Sequence, residues 1–345
     1  MKLKNRKGDF MNFSFKTNEF IKREINGKEN IKFTVGILKD REMSFKVFDV
    51  NGEVPYERHL YQSGSITKVF TASLLAKYLE EDKMSLEDSV AKYIPELDES
   101  KYYPTLKRLA THTSGLPYNT ATKKEFFKIV VCHLFPRFFS LEKSIMECLS
   151  LSREKMISLV TKTELKDRSY RYKYSNLAFS LLGAAIEQVA TVNYWDLMND
   201  YLVNDLKLKH SFMGTSHPNM LKGYNLKGNS GDWGIKKDNY LASAGAITST
   251  AEDLLAFAKL NIEKKLSYLV LTHDAAVVLP MHVDMGIGWV ILKKNPNVIF
   301  HSGDTDGFAT MLAIDLKKET AVVLLSNYHG MKSRNPLFKD ILKHL

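Results

Sequence analysis

The segment Gly64-Ser65-Ile66-Thr67-Lys68 separates a strand-rich stretch of the sequence from a long apolar helix. Upstream of it, Ile31 to Leu38 and Met43 to Val50 have the composition of two strands joined by a short polar turn. Downstream, from Ile66 to Leu79, apolar residues recur at helical spacing. The sequence therefore predicts a change from sheet to helix at this segment.

The C-terminal third of the sequence returns to strands. Gly288 to Leu292 and Val298 to His301 predict one strand pair, and Phe308 to Leu316 with Thr320 to Ser326 predict another. Pro336 to Leu345 fits a closing helix. Because strands occur at both ends and helices in the middle, we expect an α+β fold. Its antiparallel sheet is built from the N- and C-terminal segments, flanked by helices, with an all-helical lobe inserted.

The same pattern gives a domain division. We expect an N-terminal extension with a first helix over residues 1–30, followed by a single domain over residues 31–345. Within that domain, a helical lobe is predicted at about 66–235, and an α/β lobe from 31–65 and 236–345.

Composition excludes several classes of protein. The chain has 345 residues, of which 44% are hydrophobic and 26% charged, a balance typical of a globular protein. Its formal net charge is +10, but lysines are scattered in pairs such as Lys123-Lys124 and Lys236-Lys237, so no nucleic-acid partner is predicted. Cys132 and Cys148 are too few for a disulfide framework or a multi-cysteine metal site and are predicted to be buried apolar thiols.

The start of the sequence bears on location. The basic stretch Met1 to Phe10 is not followed by the apolar core of a signal peptide. No apolar run reaches the roughly 18 residues that a membrane-spanning helix needs. As written, the sequence predicts a cytoplasmic protein.

Ser65 and Lys68 are the first candidate catalytic pair. A serine in the first turn of a helix lies near the positive end of the helix dipole, and a lysine three residues on projects from the same face. A desolvated lysine can lose its proton and then serve as the base for the hydroxyl. The same spacing recurs at Ser89, Ser140 and Ser152, so it is the preceding glycine and the apolar helix that single out Ser65.

Tyr174-Ser175-Asn176 is the second candidate element, directly before an apolar helix predicted from Leu177 to Val189. A phenol near an ammonium group has its pKa lowered and can shuttle a proton. The Asn176 amide can both donate and accept, which suits a substrate amide. The alternative is a helix cap, in which Ser175 or Asn176 satisfies free backbone N–H groups.

His301-Ser302-Gly303-Asp304 is the third element, at the end of a predicted strand. Gly303 would let a substrate approach the backbone closely, and the N–H groups of Asp304 and Ser65 would form an oxyanion hole. His301 would orient a substrate carboxylate or the phenol. The alternative for His301 is a strand-end histidine with a local hydrogen bond.

The order of these three elements resembles the signature of the penicillin-recognising serine hydrolases. More narrowly, it is similar to the class C β-lactamase-like family, which includes low-molecular-weight penicillin-binding proteins, D-aminopeptidases and esterases and whose members are often extracytoplasmic. Thr105 to Pro117 and Ala244 to Leu254 are also similar to segments of that family, and the likeness runs from about Val35 to Asn327.

The resemblance implies a role for each candidate. Ser65 would be the acylated nucleophile, Lys68 its proton acceptor, and Tyr174 the general base or proton relay. Asn176 would bind the amide carbonyl of the substrate. The segment His301-Ser302-Gly303-Asp304 would bind substrate along its strand, with the Asp304 N–H in the oxyanion hole. No metal or organic cofactor is implied.

Two positions depart from the family pattern. His301 stands where many members have lysine, and it replaces a permanent charge by a group mostly neutral at pH 7. Lys166 to Lys173 stands where a Pro-Gly pair commonly precedes the tyrosine element. The histidine is similar instead to the peptidase, amidase and esterase branches.

We therefore expect a serine hydrolase that cleaves an amide or ester through a Ser65 acyl-enzyme. A D-amino-acid peptide is the first substrate class expected, ahead of a carboxylic ester and of a β-lactam. The partner would be a small peptide, amide or ester substrate. The alternative from another class is a non-catalytic penicillin-binding or sensor domain on the same scaffold.

Residues 120–165 are rich in phenylalanine and lysine. One hypothesis is a lid over the pocket or a contact with an anionic membrane surface. The alternative, which we favour, is an ordinary helical core with solvated lysines.

Overall fold

An eight-stranded antiparallel sheet forms the centre of the protein. The structure is a computed structural model and describes residues 13–118, 150–215, 217–225, 228, 234–331 and 334–345. The strand order is β3-β2-β1-β11-β10-β9-β8-β7. The strands are β1 (Phe33–Lys39), β2 (Glu42–Asp49), β3 (Gly52–Val54), β7 (Val283–Met285), β8 (Val290–Leu292), β9 (Asn295–Asp304), β10 (Ala309–Asp315) and β11 (Thr320–Ser326).

The two ends of the chain meet in the middle of this sheet. Strand β1 pairs with β11 so that Val35 lies opposite Leu324. Every residue of β10 and β11 is buried, because helices cover both faces of these central strands. Continuous apolar runs are typical of strands covered on both sides. The predicted α+β class, with a sheet built from both ends, is confirmed.

Two terminal helices cover one face of the sheet. They are α1 (Phe15–Ile25) and α10 (Arg334–His344), and they share a core cluster with the sheet. Asp340 of α10 accepts hydrogen bonds from Ser14 Oγ at 2.6 Å and from Thr17 Oγ1 at 2.7 Å. The side chain of Ser14 also caps α1 by accepting from the Thr17 N–H. One carboxylate therefore ties the first helix to the last.

Helix Ala251–Glu263 packs directly on the opposite face of the sheet, and the remaining helices share a core cluster with that face. Helix α2 (Thr67–Glu80) is buried from Thr67 to Ala76, which makes it the central helix of the fold. Short helical turns also occur at Gly64–Ile66, Val90–Tyr93 and Tyr201–Asp205. The other helices are α3 (Leu106–Ala110), α4 (Arg153–Thr161), α5 (Asn176–Ala190), α6 (Tyr194–Asp200), α7 (Ala242–Gly245), α8 (Ala251–Glu263) and α9 (Ser267–Val270).

Several short elements differ from the sequence prediction. A second, three-stranded sheet of order β4-β6-β5 joins β4 (Tyr61–Gln62), β6 (Ile247–Ser249) and β5 (Phe212–Met213). Strands of two or three residues are too short to show an alternating pattern, so neither this sheet nor β7 was predicted. The strand predicted from Val298 to His301 is longer in the structure, where β9 runs from Asn295 to Asp304.

Some predictions fall on residues that are not described. Most of the 120–165 segment, including Cys132 and Cys148, lies outside the described residues, and its lid and membrane hypotheses stay hypotheses. Of the helices that are described, none is long and apolar enough to cross a membrane.

Candidate active site

Two glycines place Ser65 against the end of strand β9. Gly64 has φ +53°, and a Cβ there would lie 2.9 Å from the Asp304 backbone nitrogen. A Cβ on Gly303 would lie only 1.9 Å from the Ser63 carbonyl oxygen. That oxygen accepts a hydrogen bond from Thr310 Oγ1 at 2.9 Å. The absence of these two side chains lets the turn that carries Ser65 approach the strand that carries the Asp304 amide.

Lys68 lies one helical turn beyond Ser65 and is completely buried. Its Nζ donates to Ser65 Oγ at 3.1 Å and to the Ala244 carbonyl oxygen at 2.7 Å. No carboxylate in the described part of the chain forms an ion pair with it. Because burial disfavours the charged form, the pKa of Lys68 lies well below that of an exposed lysine. An amine in this state can accept a proton from the serine hydroxyl.

Tyr174 completes the group around the serine. Its phenol donates to Ser65 Oγ at 2.6 Å, and Lys68 Nζ lies 4.9 Å from the centre of its ring. Burial raises the pKa of Tyr174, and the hydrogen bond with Ser65 offsets this only in part. The expectation that the lysine lowers this pKa is therefore wrong: the environment keeps the phenol protonated.

The residues after Tyr174 begin helix α5. Ser175 Oγ accepts from the Ala178 N–H at 3.0 Å and donates to the Pro117 carbonyl at 2.7 Å. The helix-cap interpretation is thus correct for Ser175. Asn176 is the first residue of α5 and is half-buried. The Ser175 cap fixes where α5 begins. It therefore also fixes the position of Tyr174, which directly precedes the cap.

His301 lies near the end of β9 and is only 4% exposed. Its Nδ1 is 2.8 Å from the Ser302 carbonyl oxygen, so the ring has the local hydrogen bond that was the alternative expectation. Burial is the main cause that lowers the pKa of His301, to about 3. A neutral ring has no charge with which to attract a substrate carboxylate, and the substrate-binding role of His301 stays a prediction.

Ser302, Gly303 and Asp304 end the strand beside the serine. Ser302 is half-buried and pairs with Met311 of β10 in the sheet register. Asp304 pairs with Ala309, and its backbone nitrogen faces the turn at Gly64. The side chain of Asp304 forms a two-point ion pair with Arg334, the first residue of α10. Sequence analysis missed this pair because nothing in the spacing of the two residues predicts their contact.

His112 is a further residue that sequence analysis did not single out. It is 1% exposed, has φ +58°, and its ring centre lies 4.4 Å from that of Tyr174. Its Nδ1 accepts a hydrogen bond from the Ser175 N–H at 3.2 Å, and burial lowers its pKa well below the ordinary value. His112 thus packs as a neutral ring against the phenol. The backbone of Lys173 donates to its carbonyl oxygen at 2.9 Å, which anchors the segment before the tyrosine.

In the other Ser-x-x-Lys segments that the structure describes, the serine caps a helix or a helical turn. Ser152 caps α4 by accepting from the Lys155 N–H at 3.2 Å. Ser89 accepts from the Ala91 N–H at the start of a short helical turn. Ser140 lies outside the described residues. The motif at Ser65 differs from these two caps because its lysine is buried.

Comparison with known proteins finds a family model and curated relatives that match this chain. The sequence model of the family described as Beta-lactamase matches residues 34–345. Protein flp of Staphylococcus aureus (strain MW2) is 24% identical over 290 residues, which cover 78% of this chain and 53% of that protein. The chain therefore spans about half the length of this curated relative.

Two solved structures illustrate the likeness of the fold. A class C beta-lactamase has a TM-score of 0.75 at 20% identity, with 95% of each chain covered. A D-stereospecific amidohydrolase from Streptomyces sp. has a TM-score of 0.71 at 20% identity, with 91% of this chain and 94% of that chain covered.

Proposed function

The chain belongs to the Beta-lactamase family, and on that premise we propose that it is a serine hydrolase that cleaves an amide or ester bond through a Ser65 acyl-enzyme. One observation carries the proposal. The Ser65 hydroxyl oxygen lies within hydrogen-bonding distance of an amine that is buried away from carboxylates and can take its proton, and of a protonated phenol, at 3.1 and 2.6 Å. This is the arrangement that a weak oxygen nucleophile needs.

Acylation follows from the protonation states. As Ser65 Oγ attacks the carbonyl carbon, Lys68 takes the hydroxyl proton and becomes an ammonium group. The N–H groups of Ser65 and Asp304 hold the negative oxygen that develops. When the intermediate collapses, Tyr174 protonates the leaving amine or alcohol and regains a proton from Lys68. The net result is an ester on Ser65 and a neutral leaving group.

Deacylation runs the same steps with water in place of the serine. Water attacks the ester carbonyl, and Lys68 and Tyr174 carry its proton to Ser65 Oγ as the carboxylic acid leaves. The ring of Tyr174 contacts both Lys68 Nζ and the ring of His112, which supports a fixed position for the phenol. Asn176 is proposed to hold the amide carbonyl of the substrate.

For the substrate, we propose an amide of a D-amino-acid peptide first and a carboxylic ester second. The neutral state of His301 supports this order over a β-lactam, because a β-lactam antibiotic carries a carboxylate that a fixed cation would bind. By the same argument, the peptides favoured are those without a carboxylate beside the scissile bond. The D-stereospecific amidohydrolase of similar fold is consistent with an amidase. The alternative function is a non-catalytic penicillin-binding or sensor domain.

Intact mass spectrometry after treatment with a fluorophosphonate, and separately with a fluorescent penicillin, tests the proposal. We expect one adduct on the wild type and none on Ser65→Ala. Ser152→Ala, which alters the Ser-x-x-Lys segment that caps α4, is the matched control and should label normally. Labelling by the fluorophosphonate alone would indicate an esterase, and labelling by both reagents would indicate the peptidase branch.

The sensor alternative is separated by turnover. A hydrolase releases product from para-nitrophenyl esters or D-alanyl peptides over many cycles in a Ser65-dependent reaction. A sensor would form the penicillin adduct once and keep it. An unlabelled wild-type Ser65 with both reagents would contradict the proposed function.

A further inference from the structure

Asp304 contributes two different groups at the end of β9. Its backbone nitrogen lies against the turn that carries Ser65, as the short distance to a Cβ on Gly64 indicates. Its carboxylate accepts from Arg334 Nη1 at 2.6 Å and from Arg334 Nη2 at 2.5 Å. Arg334 Nη1 also donates to the Gly303 carbonyl oxygen at 3.2 Å. A two-point contact of this kind holds both side chains in one geometry.

The carboxylate is the more exposed member of the ion pair. The Asp304 side chain is 41% exposed, whereas that of Arg334 is 17% exposed. A molecule that approaches the end of β9 therefore meets the negative group more readily than the positive one. The negative charge also acts on the catalytic centre, because it contributes to the raised pKa of Tyr174.

Lys68, His112 and His301, the basic groups that the structure describes around Ser65, offer little positive charge in compensation. Lys68, His112 and His301 are all buried, and burial lowers the pKa of each. At the end of β9, the guanidinium group of Arg334 is already bound by Asp304. A substrate carboxylate would have to displace Asp304 to use this guanidinium group.

We propose that the Asp304–Arg334 ion pair is a specificity element that selects uncharged substrates over substrates with a carboxylate beside the scissile bond. The inference rests on the proposed function, because it assigns the substrate class of the same site. A purely structural pair, which only fastens α10 to β9, would affect stability without changing the preference between charged and uncharged substrates.

Two ester pairs of similar shape provide the test. Para-nitrophenyl valerate and mono-para-nitrophenyl glutarate differ by a carboxylate on the acyl part. Phenyl butyrate and meta-carboxyphenyl butyrate differ by a carboxylate on the leaving group. The quantity measured is the ratio of kcat/KM for the charged ester to that for the uncharged ester, which cancels a general loss of activity.

Three variants are expected to change this kcat/KM ratio in different directions. Asp304→Asn keeps the backbone N–H and frees Arg334, so we expect the ratio to rise by about tenfold or more for at least one ester pair. Arg334→Gln leaves Asp304 without its partner, so the ratio should fall. The double variant lacks both charges, and its ratio should be lower than that of Asp304→Asn.

The outcomes separate the inference from the function on which it rests. Ratios that do not differ from the wild type in Asp304→Asn and Arg334→Gln would overturn the inference and leave Ser65-dependent hydrolysis intact. If one variant does not fold, as shown by circular dichroism, the other still tests the sign of the effect. No Ser65-dependent hydrolysis of any ester by the wild type would contradict the proposed function, and the inference with it.

Discussion

At the scale of single residues, burial controls the chemistry of the site more than the charges of neighbours do. Lys68 is fully buried, so the pKa of its amine falls. The phenol of Tyr174 changes in the opposite direction for the same reason, because burial disfavours the charged form of either group. The serine therefore lies between a proton acceptor and a proton donor.

The sequence predicted which residues meet but not their protonation states. Lys68 and Tyr174 both lie within hydrogen-bonding distance of Ser65 Oγ, as the first two motifs indicated. The neutral state of His301 and the contact of His112 with Tyr174 depend on burial. Burial is a tertiary property that the spacing of residues does not reveal.

His301 makes a prediction about stability and pH. The pKa of His301 is about 3 in the fold against an ordinary value of 6.5, so between these values the unfolded chain binds a proton that the folded chain does not. Stability must therefore fall as the pH drops below 6.5. Between pH 6.5 and pH 5, this one histidine should lower the free energy of unfolding by about 2 kcal/mol.

Urea unfolding at pH 7 and pH 5 measures this effect. Between the two pH values, the free energy of unfolding of His301→Gln should fall by about 2 kcal/mol less than that of the wild type. The exposed His217→Gln is the matched control for removal of a histidine. Equal losses in the wild type and in His301→Gln would show that His301 is charged in the fold or titrates alike in both states.

At the scale of secondary structure, long periodic segments were predictable and short ones were not. The helix predicted from Leu177 to Val189 is α5 (Asn176–Ala190), because fifteen residues give several turns of apolar periodicity. Strands β4 and β5, of two residues each, exist because β6 lies between them. Such elements are set by their partners in space rather than by their own sequence.

The contact between the serine turn and β9 makes a prediction about Gly303. A Cβ at this position would lie 1.9 Å from the Ser63 carbonyl oxygen, so Gly303→Ala must push the turn and the strand apart. We expect a loss of about 1–3 kcal/mol in stability and a loss of Ser65 labelling by the fluorophosphonate in the molecules that fold.

Gly27→Ala is the control for this variant. Gly27 also has a positive φ, of +69°, but a Cβ there meets nothing within 4 Å, so only the backbone cost applies. It should label at the wild-type rate. A Gly303→Ala protein that labels as fast as the wild type would show that the turn and the strand do not need this close approach.

At the scale of the whole molecule, the two ends of the chain hold one sheet together. The pairing of β1 with β11 joins segments almost three hundred positions apart, roughly the separation from Val35 to Leu324. The sequence predicted strands at both ends, since each has its own apolar pattern. It did not predict the order of the strands, because many orders satisfy the same patterns.

The carboxylate of Asp340 makes a prediction at this scale. It accepts hydrogen bonds from Ser14 and Thr17 and so links α10 to α1. Asp340→Ala should lower the free energy of unfolding by about 2 kcal/mol, because it removes hydrogen bonds to a charged group. Lys339→Ala, at an exposed position on the same helix, is the control. Thermal or urea unfolding with no difference between the two variants would contradict this link.

The central claim is that an uncharged Lys68 accepts the proton of Ser65. The most direct measurement is the rate of Ser65 labelling by a fluorophosphonate as a function of pH, followed by intact mass spectrometry. The rate should rise with pH as Lys68 loses its proton and then level off. The midpoint of this rise should give an apparent pKa well below the ordinary 10.5. Lys68→Met should lose this rise, whereas Lys77→Met, on the same helix but paired with Asp205, should keep it. A rise at the ordinary lysine value, or the same profile in Lys68→Met, would contradict the account.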